Sequence, residues 1–460
     1  MNYHRAKIFL LFALLAGVAV FTRAAETNSL VWQADRDRVT ADLHGEALWP
    51  LLEDIAHQAG WHIFVEPGIS QKADVKFRDL PTGDALRKLL GNLNYALVPQ
   101  TNGPQELYVF TTTIHAATQR VATAPAKPVP MRHVANELLV KLKPGADIDA
   151  LAKSLGAKIV GRNDKLGIYR LQFADAAATD AALGSLQTNP DVAAVDYNYI
   201  FDPSPKPQQL ASAPTGPVAL TLDPNSTSDP CNPVVGLIDT TMQSLGSQLD
   251  PFLMKAINVT GDTTTPSTTD PTHATAMAQT ILRAVSQQSS SSSVRILPVD
   301  VYGAAETTTS WNVALGVQAA VDGGATVLNM SLGGTTDSPI LDNIIQQALA
   351  KGVVIFAAAG NQPVSTPTYP AAISGVNAVT ALGAPGQLAS YANYGSFVEM
   401  ALPGNSFVFL GNQTYIVQGT SPATAYATGI AAGSKTINCG SWSQIESTMA
   451  QQFPVPPAQQ

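Results

Sequence analysis

Four residues in the C-terminal half carry side chains suited to acyl transfer, and each also has a plain structural reading. Ser421 stands in "QGTSPATAYATGIAAG", residues 418 to 433, between a Gly-Thr pair and a small-residue run with helical spacing. Serine is a preferred helix N-cap, and Pro422 would then take the first helical position, where its missing N–H costs nothing. The same serine at a helix N-terminus could instead be a nucleophile. Asp239 ends the apolar run "PVVGLID", where a carboxylate could cap a turn, and Asn361 ends "VVIFAAAGN", where it could close a Gly-Asn turn. His273 falls in the first turn of a helical pattern whose apolar face is Ala274, Met277, Ala278, Ile281 and Leu282. All other histidines (His4, His44, His57, His62, His115 and His133) lie earlier, so this region owns a single imidazole. Together the four types fit one chemistry. A serine hydroxyl attacks poorly until an imidazole takes its proton, and a buried carboxylate fixes the tautomer and steadies the imidazolium. The tetrahedral oxyanion needs donors, which the Asn361 amide and the Ser421 N–H would supply.

These side chains need a scaffold that brings strand tips and helix starts to one face. From residue 231, apolar runs alternate with amphipathic stretches. "PVVGLID", "VRILPVDVYG", "TVLNMSLGG", "VVIFAAAGN" and "VNAVTALG" read as strands buried on both faces. "WNVALGVQAAVDGG" and "ILDNIIQQALAKG" read as helices that end in glycine. This alternation predicts an α/β domain over 231–455, with a doubly wound, mostly parallel sheet. Such sheets carry their sites beyond the carboxyl ends of the strands, where Asp239 and Asn361 stand.

The motifs resemble the subtilisin-like serine proteases, the subtilases, whose triad runs Asp–His–Ser in chain order. "VVGLIDTT" is similar to the family's aspartate motif, "PTHATAMA" to its histidine motif, "LNMSLGG" to its substrate strand, "AAAGN" to its oxyanion motif and "GTSPATAYATG" to its serine motif. The resemblance implies Asp239, His273 and Ser421 as triad and Asn361 with Ser421 as oxyanion hole. It also implies a peptide-pairing strand at Ser331, Leu332, Gly333 and Gly334. That strand and Ala357, Ala358, Ala359 and Gly360 would border an uncharged pocket. The chain departs from the family where Thr241 replaces a glycine, where Asp270-Pro271-Thr272 and Ala274-Thr275-Ala276 flank the histidine, and at Pro422, Ala425 and Tyr426. None of these removes a catalytic atom. The related acid proteases with a Glu-Asp-Ser set do not fit His273 and Asn361. A catalytically weak or inactive binding or signalling protein is the competing class.

Two smaller α+β domains are expected before the peptidase domain. Residues 136–201 read β-α-β-β-α-β and resemble subtilase propeptides, with "LLVKLKPG" near the start and "NPDVAAVDYNY" near the end. That resemblance implies an intramolecular inhibitor and self-processing between Tyr199 and Cys231. Residues 26–112 alternate strands and helices, and through "AGWHIFVEPGI" and "FRDLPTGDALRKLL" resemble the short N-terminal domain of secretins and TonB-dependent receptors. That resemblance implies a periplasmic or outer-membrane protein partner. His44, His57 and His62 lie here; surface histidines account for them without a metal. Pro- and Ala-rich stretches at 113–135 and 202–230 read as linkers, the second holding the processing site, and "SQQSSSSS" at 286–293 reads as a surface loop.

At the N-terminus, Arg5 and Lys7 precede an apolar run from Ile8 to Phe21 and small residues near Ala25, the pattern of a signal peptide over 1–25. The expected location is therefore exported, periplasmic or secreted; a retained anchor is the alternative. A net charge of −8 excludes a basic nucleic-acid surface. With 45% hydrophobic and 13% charged residues the chain can build large cores. The chemistry requires no cofactor, and no run of carboxylates has convincing calcium-ligand spacing. The only cysteines, Cys231 and Cys439, suit no zinc motif. The strand ending at Asp239 spans about 17 Å, and a helix from Ser421 to Gly433 about 18 Å. Both run from the active face to the opposite one, where each cysteine follows within a few residues, so a disulfide is expected there.

Overall fold

The computed structural model describes residues 28–456, apart from 34–36, 67, 99–104, 122–131, 202–204, 211–219, 226–230, 263–264, 384–385 and 412. The signal-peptide reading of 1–25, part of the first linker and most of the second fall outside these residues. The chain forms two compact units that divide after Ala124.

In the first unit, Ser29–Gln33, Arg38–Ala47 and Lys72–Leu80 make a three-stranded antiparallel sheet. A second sheet has the order Asn94–Val98, Glu106–Phe110, His62–Val65 and Gln119–Arg120. Helices Leu48–Ala59 and Thr82–Leu90 bury Leu51, Leu52, Ile55, Leu86 and Leu90 in a single core with Trp32 and Ile63. The strand Gln119–Arg120 shows that part of the stretch 113–135 is ordered by pairing with Phe64–Val65, not free as a linker. His44 pairs with Asp42 at 3.0 Å. His62 is buried rather than on the surface, and burial, with Arg120 acting in the same sense, pushes its pKa down to about 4. Among the described residues no group of three or more His, Cys, Asp or Glu is set to hold a metal ion.

The second unit begins with the expected β-α-β-β-α-β segment. Its strands are ordered Val192–Phe201, His133–Leu142, Ile168–Gln172 and Lys158–Asn163. Side chains alternate across the strand His133–Leu142. Leu138 and Val140 face the segment's own helices, Ile148–Leu155 and Ala176–Gln187, while Leu139 joins the core of the following domain. The pleat therefore serves two cores at once.

That following domain is a seven-stranded sheet in the order Ile257–Asn258, Arg295–Asp300, Val234–Asp239, Val327–Met330, Val354–Ala358, Asn377–Leu382 and Met400–Pro403, every neighbour parallel. Helices Ser310–Asp322 and Pro339–Ala350 pack on one face, and His273–Ser286 and Thr420–Asn438 on the other. The last two touch through small residues. A Cβ built on Gly429 would lie 2.4 Å from the Ile281 carbonyl oxygen, so only glycine permits this approach. Gly429 is eight residues past Ser421 and Ile281 eight past His273. Further along, a Cβ on Gly433 would meet the Gln288 side chain, so the helices run parallel with their first turns level, which brings histidine and serine to one end of the sheet.

Cys231 and Cys439 form a disulfide with Cα atoms 5.4 Å apart, beyond the far ends of the strand and helix that bear Asp239 and Ser421. The tract 286–293 differs from the expected surface loop. Ser291–Ser292 pairs with Asp223–Pro224, and Ser292 and Ser293 are buried. No helix among the described residues is long and apolar enough to cross a membrane.

Candidate active site

Asp239 is the last residue of its strand and His273 the first of its helix, and both are buried. His273 Nδ1 lies 2.8 Å from each carboxylate oxygen of Asp239. A carboxylate only accepts, so Nδ1 carries a proton, and in the neutral imidazole Nε2 keeps its lone pair. Nε2 has no hydrogen-bond partner among the described residues. The backbone N–H of Thr240 donates to Asp239 Oδ1 at 2.7 Å, and the Thr240 hydroxyl accepts from Ala274 N–H at 3.0 Å. One threonine thus orients the carboxylate and fixes the helix start that carries the imidazole.

The helix start at the serine differs from the cap reading. Gly419 is the N-cap, Thr420 the first helical residue, and Ser421 lies inside the first turn. Gly419 has φ 148°, and a Cβ there would meet the Asn361 side chain at 3.2 Å, so this position is reserved for glycine. The Ser421 hydroxyl donates to the Ser331 carbonyl at 3.4 Å, a long bond. Asn361 is exposed, and its Oδ1 accepts from the Thr420 N–H at 2.8 Å and the Thr420 hydroxyl at 3.0 Å. With its oxygen so held, the amide N–H₂ faces Gly419 and the serine turn. Thr420 was not singled out in the sequence; its place directly before the serine is the only local signal for this task.

The departures around the motifs have local partners. The Thr241 hydroxyl donates to Asp300 Oδ2 at 2.5 Å, and Asp300 sits beside Asp239 on the neighbouring strand. Buried Asp300 also accepts from Asn258 at 3.2 Å and from the backbone N–H groups of Tyr302 and Gly303 at 3.0 and 2.8 Å. The carboxylate therefore ties the loop after Asp239 to Asn258 and to the turn after its own strand. Before His273, Gln243 accepts from Thr272 N–H at 2.7 Å and donates to the carbonyls of Ser267 and Asp270 at 2.6 and 2.9 Å. Thr272 caps the helix through Thr275 N–H. Pro422 and Ala425 are buried, and the Tyr426 hydroxyl reaches Ser406 at 3.4 Å.

Ser331 and Leu332 are buried, and Ser331 Oγ donates to the Ser421 carbonyl at 3.1 Å. Gly334 uses both backbone groups on Tyr369, at 2.9 and 2.8 Å, while the backbone N–H groups of Ser331, Leu332 and Gly333 have no backbone partner among the described residues. Ala357, Ala358 and Ala359 are buried, and the Gly360 N–H donates to the Thr420 hydroxyl at 3.1 Å. The preceding segment reaches the same place. Ile200 and Phe201 pair with Thr309 and Thr308, and a Cβ on Gly334 would lie 3.6 Å from the Phe201 ring. On the far side, the Pro205 ring is 3.5 Å from the equivalent point on Gly419. Phe201 thus lies against Gly334 and Pro205 against the turn that precedes Ser421.

Residues 231–453 match the model of the subtilase family, and residues 119–198 that of the fervidolysin N-terminal prodomain. The thermophilic serine proteinase of Bacillus sp. strain AK1 is 28% identical over 312 residues, 65% of this chain and 78% of that protein. Thermitase of Thermoactinomyces vulgaris is 39% identical over 122 residues, 26% of this chain and 43% of its own length. In the latter comparison the chain spans less than half of the relative. Fervidolysin from Fervidobacterium pennivorans, a keratinolytic enzyme related to subtilisin, shares the fold with a TM-score of 0.55 at 19% identity, covering 71% of this chain and 62% of that one. With the strand tips, paired helices and motif order described above, residues 231–453 belong to the subtilase family of serine endopeptidases, preceded by a prodomain of the fervidolysin type.

Proposed function

We propose that this chain is an exported endopeptidase made as an autoinhibited precursor, which cuts itself between Phe201 and Pro205. Ser421 is the nucleophile, His273 the base and Asp239 its orienting carboxylate. In the reaction the Ser421 hydroxyl turns from the Ser331 carbonyl toward the unpartnered His273 Nε2, gives up its proton there and attacks the peptide carbonyl. The oxyanion is held by the Asn361 amide, steadied by Thr420, and by the Ser421 N–H in the first turn of its helix. The imidazolium then protonates the leaving amine, and water releases the acyl group by the same steps.

One observation carries the precursor reading. Phe201 docks on the substrate strand and Pro205 beside the turn before Ser421, which supports a cut in the stretch that they bound. This narrows the window of Tyr199 to Cys231 expected from the sequence. Peptide pairing falls to Ser331–Gly333, above a pocket bordered by the apolar Ala357–Ala359. Residues 26–112 would leave with the prodomain; their resemblance to the secretin and TonB-receptor short domain supports a docking role at a periplasmic or outer-membrane protein.

The test compares wild type with Ser421→Ala in an exporting host. Wild type should label with a fluorophosphonate, turn over casein and yield a mature N-terminus between Phe201 and Pro205. Ser421→Ala should do none of these and keep precursor length. Wild-type turnover in that variant would sink the triad; a mature N-terminus far outside the window would sink the processing site. Cell fractionation, with a new N-terminus near Ala25, tests export.

A further inference from the structure

The strand Gln413–Gln418 runs directly into Gly419 and Ser421, so anything paired with it is led to the nucleophile. One side of this strand is held by Asn405–Leu410, and the other by Gln208–Gln209 of the chain's own processing region. Gln208 pairs with Ile416 and Gln209 with Tyr415 in antiparallel register, and Leu210 N–H donates to the Thr414 carbonyl at 3.0 Å. The Gln209 and Gln413 side chains hydrogen bond at 2.9 Å. No other strand covers this edge among the described residues; a cut between Phe201 and Pro205 leaves 208–210 on the mature chain, and their lifting off or trimming frees the edge.

We propose that the outer edge of Gln413–Gln418 is an extended substrate-binding strand for the leaving side of the peptide. It takes the backbone from about the fourth residue beyond the cleaved bond by strand addition. The inference rests on Ser421 as nucleophile and on a cut between Phe201 and Pro205. From a cut in that window, Gln208 is the fourth to seventh residue on the leaving side and Leu210 the sixth to ninth. The processing segment thus previews a bound substrate: Ile200 and Phe201 pair with Thr308–Thr309 before the bond, and Gln208–Leu210 pair with Thr414–Ile416 after it. Main-chain pairing supplies affinity without a sequence requirement, while the Gln413 side chain favours a polar residue opposite it. The ligand is an extended polypeptide, and the free chains of unfolded proteins fit better than short peptides.

Mature enzyme trimmed to begin after Leu210, so that its own 208–210 no longer occupies the edge, is given quenched fluorescent peptides with one fixed sequence before the bond and three, six or nine residues after it. A net hydrogen bond changes an equilibrium constant by roughly two- to twelvefold. The value of kcat/KM should therefore rise about tenfold between three and nine residues, mainly through KM. N-methylation of the residue that donates to Thr414 should return the longest peptide toward the shortest, and Gln413→Ala should alter preference at one leaving-side position only. Casein turnover is the control. Casein turnover with kcat/KM flat in peptide length, or unchanged by N-methylation, overturns the strand and leaves the nucleophile assignment intact. Loss of casein and peptide cleavage together overturns the nucleophile assignment, and this inference with it.

Discussion

Asp196 should make release of the prodomain depend on pH. It lies on the last prodomain strand, buried against the start of helix Pro339–Ala350 of the peptidase domain. Its Oδ2 has no hydrogen-bond partner. Burial raises its pKa to about 6, and the neighbouring Asp337 carboxylate acts in the same direction. Hydrogen bonding from Ser338 and Tyr199 pulls the other way and does not offset them. Asp337 is itself raised by burial. A carboxyl that is harder to ionise in the docked state stabilises docking fully below its free value, and that contribution disappears as pH rises through the docked value. The gap between the ordinary 3.8 and about 6 corresponds to about 3 kcal/mol, so docking should weaken by up to about a hundredfold between pH 4 and pH 8. Asp196→Asn has the same shape and no charge to desolvate. Wild-type precursor, allowed to cut itself and then moved to buffers from pH 5 to pH 8.5, should release activity slowly at the acid end and faster above pH 6. Asp196→Asn should stay slow throughout. Release rates with the same pH dependence in both proteins, normalised to fully activated enzyme at each pH, would refute the assignment.

Three further outcomes are expected. Asn361→Ala should lower kcat by about 10²- to 10³-fold with KM little changed; a loss under threefold, measured on a peptide substrate, would remove Asn361 from the oxyanion site. Asp300→Asn presents an amide to donors on every side and should cost about 1–3 kcal/mol in urea unfolding, with a fall in kcat. Thr241→Val should cost less, and adding it to Asp300→Asn should cost almost nothing more, because the two share one bond; fully additive losses would argue against that coupling. Cys231→Ser with Cys439→Ser opens a loop of 208 residues, for which chain entropy sets an upper value of about 5 kcal/mol, so thermal unfolding should move several degrees lower. Denatured, unreduced wild-type protein should show no free thiol.

The peptidase architecture was legible because each strand of a buried parallel sheet is a continuous apolar run, and the polar residue that ends it faces the site. Asp239, Asn361 and a lone imidazole in the peptidase region could thus be picked out by position and type. The disulfide followed from the lengths of one strand and one helix that share a starting face. The small prodomain was legible for a related reason: its strands alternate, so the period itself marks two faces. Other features depended on segments far apart in the chain, which carry no common local pattern. Ser421 reads as a cap until the Gly419 backbone, held open beside Asn361, shifts the helix start by two residues. Thr420 holds the Asn361 amide across 59 residues, and Asp300 holds Thr241 across the same number. Asp196 looks like an ordinary surface acid until its strand packs on the following domain, and Gln208 like a linker residue until it meets Ile416. Sequence alone determined which chemistry the chain can perform and on which kind of sheet, because periodicity and residue type are local properties. Only the tertiary structure decided which hydrogen bonds hold the groups and which strand edge lies beside the serine turn, because those choices depend on the approach of backbones that the chain folds together from a distance.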